Sequence, residues 1–128
     1  MNIHKASEDY LEAMLILKQK KGYVRSIDVS RKLNVTKPSV SYATKRLREN
    51  GCIYFNEDGF IEFTDEGMKI AQKIYNRHKK LSQFLKMLGV DEDIADADAC
   101  KIEHDISNDS FNALCEHVEK HLKLLEDK

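Results

Sequence analysis

SIDVSRKLNVTKPSVSYATKRLRENG, residues 26–51, contains two short helices and the turn between them. Ile27, Val29 and Leu33 fall at helical spacing, with Ser26 placed to cap them. Asn34-Val35-Thr36 is a tight connection. Thr36 is the expected cap of the next helix, and Pro38 suits its first turn, where a missing N–H breaks no bond. That helix runs to about Asn50 and stops at Gly51. Its inner face is Val40, Ala43 or Thr44, and Leu47; its outer face shows Ser39, Tyr42, Lys45, Arg46 and Glu49. Two short helices on a tight turn, the second basic and hydroxyl-rich outside, read as a helix-turn-helix.

The flanks extend that reading. Upstream, Tyr10, Leu11, Met14, Leu15 and Leu17 keep helical spacing, with Ser7 as the expected cap and Gly22 as the stop. Downstream, Ile53-Tyr54-Phe55 and Phe60-Ile61-Glu62-Phe63 are β-prone runs around Asn56-Glu57-Asp58-Gly59, and Asp-Gly is a hairpin signal. A hairpin directly after the helix-turn-helix makes it a winged one. Thr64 then caps a long helix from about Asp65 to Leu88, stopped by Gly89. Another helix opens at Asp91 and is expected to run to about Asp105, and Ser107 or Asn108 caps a last one carrying Phe111, Leu114, Val118 and Leu125. The fold class is mostly α: a winged helix-turn-helix domain over 1–64 and a helical domain over 65–128.

Composition bounds what such a chain does. Of 128 residues, 41% are apolar and 34% charged, and no apolar run approaches membrane-spanning length. No apolar signal core follows the start, so the expected location is the cytoplasm. Cys52, Cys100 and Cys115 are an odd number in such a chain, which argues against structural disulfides. Residues 1–50 hold eleven Lys/Arg against five Asp/Glu, whereas residues 51–128 hold ten against seventeen. A basic first part suggests a polyanion partner. There is no Gly-rich phosphate loop and no Ser/His/Asp arrangement of catalytic spacing, and the chain is not expected to be an enzyme.

Chemistry concentrates at Cys100-Lys101-Ile102-Glu103-His104. On a helix, Cys100, Glu103 and His104 share one face at i, i+3 and i+4. Thiolate, carboxylate and imidazole together are a transition-metal ligand set. Asp9 and Glu12, three apart in the first helix, and His78, midway along the long one, are further candidates. Taken alone, Asp9 and Glu12 suit a helix N-terminus and His78 is a weak signal. His117 and His121 also stand at i, i+4, but among Glu116, Glu119 and Lys120, which marks an exposed face.

With these residues in view, the chain resembles the metal-dependent bacterial repressors of the diphtheria toxin repressor and manganese transport regulator family. The matching pieces run in order: Ser7 to Glu12, Leu33 to Val40, Leu47 to Gly51, Thr64 to Gly67, Arg77 to Leu81 with Phe84-Leu85, and Cys100 to His104. The resemblance implies a winged helix-turn-helix followed by a helical dimerisation domain, in the short form without an SH3-like domain. It implies that Asp9, Glu12, His78, Glu103 and His104 are metal ligands between the two lobes. Cys100 departs from the manganese type, which has Glu there, and agrees with the iron type; Asp9 departs the other way. The iron-type ancillary site has a His matching His78, but its other partners fall at Ser82 and Asp96, so it looks incomplete.

The expected cofactor is thus Mn²⁺ or Fe²⁺, with Cys100 as a candidate thiolate that would favour Fe²⁺, Co²⁺ or Zn²⁺. The expected partners are a double-stranded DNA operator and a second copy of the chain. The resemblance places Thr36, Pro38, Ser39 and Tyr42 at the groove-facing start of the recognition helix, with Lys37, Lys45 and Arg46 toward phosphates. Tyr42 stands where iron-type members have Gln. Two other readings stay open: a metal-independent winged-helix regulator, and a small metalloenzyme holding its ion on the Cys-Glu-His cluster.

Overall fold

The computed structural model describes residues 5–126, which form two compact units dividing between Lys73 and Ile74. The first unit contains α1 (Lys5–Lys21), α2 (Ser26–Leu33), α3 (Lys37–Glu49), β1 (Ile53–Phe55), β2 (Ile61–Phe63) and the opening turns of α4 (Asp65–Met87). The second contains the rest of α4, then α5 (Glu92–Ile102) and α6 (Asn108–Glu126). The fold class is the expected one, mostly helical with one small hairpin.

In the first unit, α1 packs on α2 and α3, and α2 on α3. Leu11, Met14, Val24, Val29, Val40 and Leu47 are fully or almost fully buried. Gly22 ends α1 at φ 84°, and its N–H bonds the Lys18 carbonyl. Ser7, the expected cap of α1, lies inside it, because the chain is already helical at Lys5. Ser26 is likewise helical rather than a cap. The residue before it, Arg25, occupies the cap position, and Asp28 reaches back to accept the Arg25 N–H at 3.2 Å.

Asn34 makes the turn of the helix-turn-helix in the left-handed region (φ 55°), which a short polar side chain tolerates. Ser30 fastens that turn twice: its carbonyl accepts from Val35 N–H and its hydroxyl donates to the Val35 carbonyl at 2.6 Å. Thr36 caps α3 as expected, accepting the Ser39 N–H. Thr44, not Ala43, is buried with Val40 and Leu47. Its hydroxyl donates to the Ser41 carbonyl, which lets a polar side chain sit inside.

The wing is antiparallel, with Ile53 opposite Phe63 and Phe55 opposite Ile61. Asn56 organises its turn by accepting the N–H groups of Asp58 and Phe60, and Gly59 adopts φ 80°. The wing is tied to the helical part of the unit by hydrogen bonds and an ion pair, and Arg48 of α3 lies over the Phe55 ring. Ile61 N–H donates to the Val24 carbonyl at 2.8 Å, and Lys18 pairs with Glu62 at 2.9 Å. Thr64 caps α4, accepting the Gly67 N–H while donating to the Gly51 carbonyl. At Gly67 the helix lies directly on the backbone of Cys52: an added Cβ would sit 1.9 Å from that residue's carbonyl oxygen.

In the second unit, Leu81, Ala99 and Phe111 form the core, with Ile106, Leu114 and Cys115 against it. Small residues at Ala95 and Ala99 leave α5 a narrow buried face. Ser107 caps α6 by accepting the Ser110 N–H. The expected helix over 91–105 stops earlier, at Ile102; Glu103 closes it, and Asp105 and Ile106 fold back onto the Ile102 carbonyl.

Two outcomes test this packing. Gly67→Ala is expected to lower unfolding stability by about 3 kcal/mol in urea melts, since the obstructing atoms are backbone. Asp28 is buried between the half-exposed Arg25 and Lys21. The Arg25 side-chain bonds, against the opposing effect of burial, hold its carboxyl well below the usual range. A depressed folded-state value gives stability present above the unfolded value near pH ~4 and lost as pH falls below it. Asp28→Asn should therefore cost about 1–2 kcal/mol at pH 7, and its deficit should shrink in melts at pH ~3.

Candidate metal centre and nucleic-acid interface

Glu103 is the least accessible charged group of the second unit, at 0% exposure. Its Oε2 lies 2.9 Å from His78 Nδ1, and its Oε1 lies 3.3 Å from His104 Nε2. Among the described residues Oε1 accepts no well-formed hydrogen bond. His78 projects from α4, Cys100 from the last turn of α5, and His104 from the turn beyond Glu103. Glu103 closes α5 with a helical backbone and an N–H bond to the Ala99 carbonyl, so Cys100 and Glu103 keep the expected one-turn spacing, whereas His104 lies in the turn just beyond. The bend still leaves His104 against the Glu103 carboxylate.

Arg77 braces that bend. It is buried at 7% exposure. Nη1 donates to the carbonyls of Glu103 (3.0 Å) and Ile106 (2.9 Å), Nη2 donates to Asn108 Oδ1, and the guanidinium lies over the Phe111 ring. The carbonyls at the end of α5 would otherwise lack partners. One planar group with donors on several sides satisfies the Glu103 carbonyl at that end and the Ile106 carbonyl in the turn beyond, and fixes the Glu103 backbone. Arg77 opens one of the stretches that match the family, and that match alone assigns it no role. Its signal was positional: Ile74, Arg77 and Leu81 share the buried stripe of α4, an odd place for a charge.

The donor set fits a divalent cation. Two ligands at right angles on an octahedral ion, each about 2.1 Å away, lie about 3 Å apart, which is the spacing of His78 Nδ1 and Glu103 Oε2. Ser82 and Asp96 are brought together differently. The Ser82 hydroxyl donates to Asp96, whose carboxyl is held low by that bond first and by Lys86 and His78 next. Lys86 also stands 3.6 Å from Asp96, so this acid is already matched by a cation. His117 and His121 are exposed. In the first unit, Asp9 and Glu12 lie one turn apart on α1, Asp9 half-buried and Glu12 buried.

On α3, Thr36, Lys37, Pro38, Ser39, Tyr42, Lys45 and Arg46 are all exposed. The Arg46 guanidinium donates to the Tyr42 hydroxyl at 3.1 Å and lies 5.8 Å from the centre of its ring. Tyr42 and Arg46 line both a cavity of about 450 Å³ facing Ser7 and Tyr10 of α1 and a smaller one of about 290 Å³ beside Lys45 and Asn50.

The first unit is thus a winged helix-turn-helix, a class of module that lays one helix in the DNA major groove. Residues 2–59 match the N-terminal DNA-binding domain of iron-dependent repressors, and residues 64–123 match the metal-binding and dimerisation domain of the same proteins. The transcriptional regulator MntR of Escherichia coli O6:H1 is 34% identical over 114 residues, 89% of this chain and 74% of that protein. The HTH-type transcriptional regulator MntR of Geobacillus kaustophilus is 32% identical over 126 residues, 94% of this chain and 89% of that protein. Among solved structures, T. acidophilum IdeR aligns with a TM-score of 0.78 at 26% identity, covering 91% of this chain and 55% of that one. A manganese-dependent transcriptional repressor in complex with manganese aligns at 0.81 and 23% identity, covering 88% and 52%, and supports the fold alone. The chain spans about half the length of these two solved chains. It belongs to the diphtheria toxin repressor and manganese transport regulator family of metal-dependent transcriptional regulators, and it stands with those regulators rather than with enzymes.

If Arg77 anchors the end of α5, Arg77→Lys should lower stability by about 2–3 kcal/mol, because a point charge cannot make the forked set of bonds. Amide hydrogen exchange over residues 103–111 should speed up in the variant. An unchanged exchange profile would show that Arg77 does not hold this bend.

Proposed function

We propose that the chain is a metal-gated repressor of genes for metal uptake, its operator affinity raised by a divalent cation. The observation that carries this reading is the buried Glu103 carboxylate, flanked by His78 and His104 and with one oxygen lacking a hydrogen bond. When bound, a divalent cation supplies positive charge and directed bonds to nitrogen, oxygen and sulfur donors. His78, Glu103 and His104 hold one side of that site, and Cys100 adds a thiolate. Asp9 and Glu12 complete the set from α1; their support is the i, i+3 spacing and their match to the ligand positions of the family. Without the cation, Asp9, Glu12 and Glu103 repel one another if brought close, which favours arrangements that keep α1 away. The gain from loading is limited by the difference in cation affinity between the two arrangements.

The relatives named above are MntR proteins, and one neighbour is a manganese-dependent repressor bound to manganese. Mn²⁺ or Fe²⁺ is the proposed cofactor, and the sulfur of Cys100 draws the site toward Fe²⁺, Co²⁺ or Zn²⁺. On the DNA side, α3 enters the major groove, with Thr36, Pro38, Ser39 and Tyr42 toward the bases and Lys37, Lys45 and Arg46 toward phosphates. A homodimer presents two such helices to two half-sites. The exposed Leu88, Ile94, Leu124 and Leu125 of the second unit suit a subunit interface. No helix among the described residues is long and apolar enough to cross a membrane, in keeping with work on DNA in the cytoplasm.

The test is Co²⁺ titration of chelator-stripped protein, followed by binding to operator duplexes selected from a random pool. Metal-dependent binding with intense near-ultraviolet thiolate absorption is expected. Glu103→Ala should abolish the metal response. Lys45→Ala should leave metal binding intact and lower the salt slope by about 0.9. DNA binding indifferent to every metal would overturn the gating and leave a metal-independent winged-helix regulator.

A further inference from the structure

We infer that Tyr42 and Arg46 act as one donor-only reading head, and that its target is guanine in the major groove. The inference rests on the proposed role of α3 as the recognition helix, and it moves Arg46 from the phosphates, where the family match puts it, to the bases. Its material is the pairing described above: Arg46 Nη1 donates to the Tyr42 hydroxyl oxygen at 3.1 Å, one helical turn away.

The direction of that bond follows from chemistry, since a guanidinium has donors and no acceptor. Tyr42 is therefore the acceptor, and its own proton is directed elsewhere. Accepting from a cation also polarises the O–H and strengthens it as a donor. Tyr42 is 64% exposed, so that proton faces solvent or a ligand. The remaining N–H groups of Arg46 are donors as well. The pair thus presents two kinds of donor side by side and spends its acceptor internally. Glu49, the sole acidic side chain of α3, lies near the far end of the helix.

Base edges in the major groove differ in this respect. Guanine offers two adjacent acceptors, N7 and O6. Adenine places an N6 donor beside its N7, cytosine shows an N4 donor, and thymine shows one acceptor beside a methyl group. A donor-only pair leaves a donor facing a donor at adenine or cytosine, a penalty that adds to the missing bond. Guanine alone matches both members. The ring of Tyr42 beneath the guanidinium restrains Arg46, so less rotamer freedom is lost on binding than for a free arginine.

The experiment uses the full chain with saturating Mn²⁺ and the best duplex selected from a random pool. Each guanine is replaced in turn by 7-deazaguanine, which lacks the N7 acceptor, and by adenine. In the wild type, one guanine per half-site should weaken binding at least about tenfold when replaced. Tyr42→Phe keeps the ring and loses the hydroxyl at an exposed position, so it should fold normally. The same replacements should change its binding less than about threefold, with an unaltered salt slope. A Tyr42→Phe protein that keeps full guanine discrimination overturns the inference, as do selected duplexes without such a guanine. A normal salt-slope drop in Lys45→Ala alongside either result leaves the recognition helix standing and removes only the reading head. No slope change in Lys45→Ala removes both.

Discussion

A carboxylate taken out of water must be matched by positive charge or by hydrogen-bond donors, or its burial is strongly unfavourable. In this chain that carboxylate is Glu103, and much of the second unit is arranged around it. His78 arrives from the middle of α4 and His104 from the turn after α5. Arg77 holds the same residue by its backbone, so side chain and main chain are fixed by neighbouring positions of one helix. The same guanidinium bonds the turn through Ile106 and the side chain of Asn108, where α6 starts under its Ser107 cap. The proposed role of Glu103 as a metal ligand draws on this rigidity, because a ligand free to swing adapts to a cation without changing anything else.

Local signals and distant ones fared differently in the sequence. The caps made by Thr36 and Thr64, the Gly22 stop and the Asp58-Gly59 turn act within four residues of themselves, and each does what its chemistry dictates. Ser7 and Ser26 look like caps by the same rules, yet α1 is already helical at Lys5 and Asp28 serves the α2 terminus. The choice between Ala43 and Thr44 turned on which packs inward, a tertiary matter. The end of α5 was illegible for a stronger reason: the group that braces it, Arg77, bonds residues 26 to 31 positions away. Among the metal-site candidates, the residue types at 100–104 were visible at once. The hold of Arg77 on the Glu103 backbone was not, because it depends on tertiary contacts.

Charge is partitioned within the first unit. The outer face of α3 carries Lys37, Lys45 and Arg46, whereas the wing turn carries Glu57 and Asp58, both exposed. Attraction to a polyanion is therefore concentrated on the helix, and the tip of the hairpin opposes it. Lys18 and Asn56 both bind Glu62, which keeps one wing acid engaged inside the unit. Such an arrangement favours approach with α3 leading.

The contact between Gly67 and the Cys52 backbone also has a mechanical meaning. Most helix–hairpin contacts run through side chains, which tolerate sliding by changing rotamer. Here main chain rests on main chain, and the Thr64 hydroxyl bridges the Gly51 carbonyl to the Gly67 N–H beside it. The joint has almost no play. A twist applied to the opening turns of α4 is delivered to the root of the wing without backlash, as torque passes through a keyed shaft.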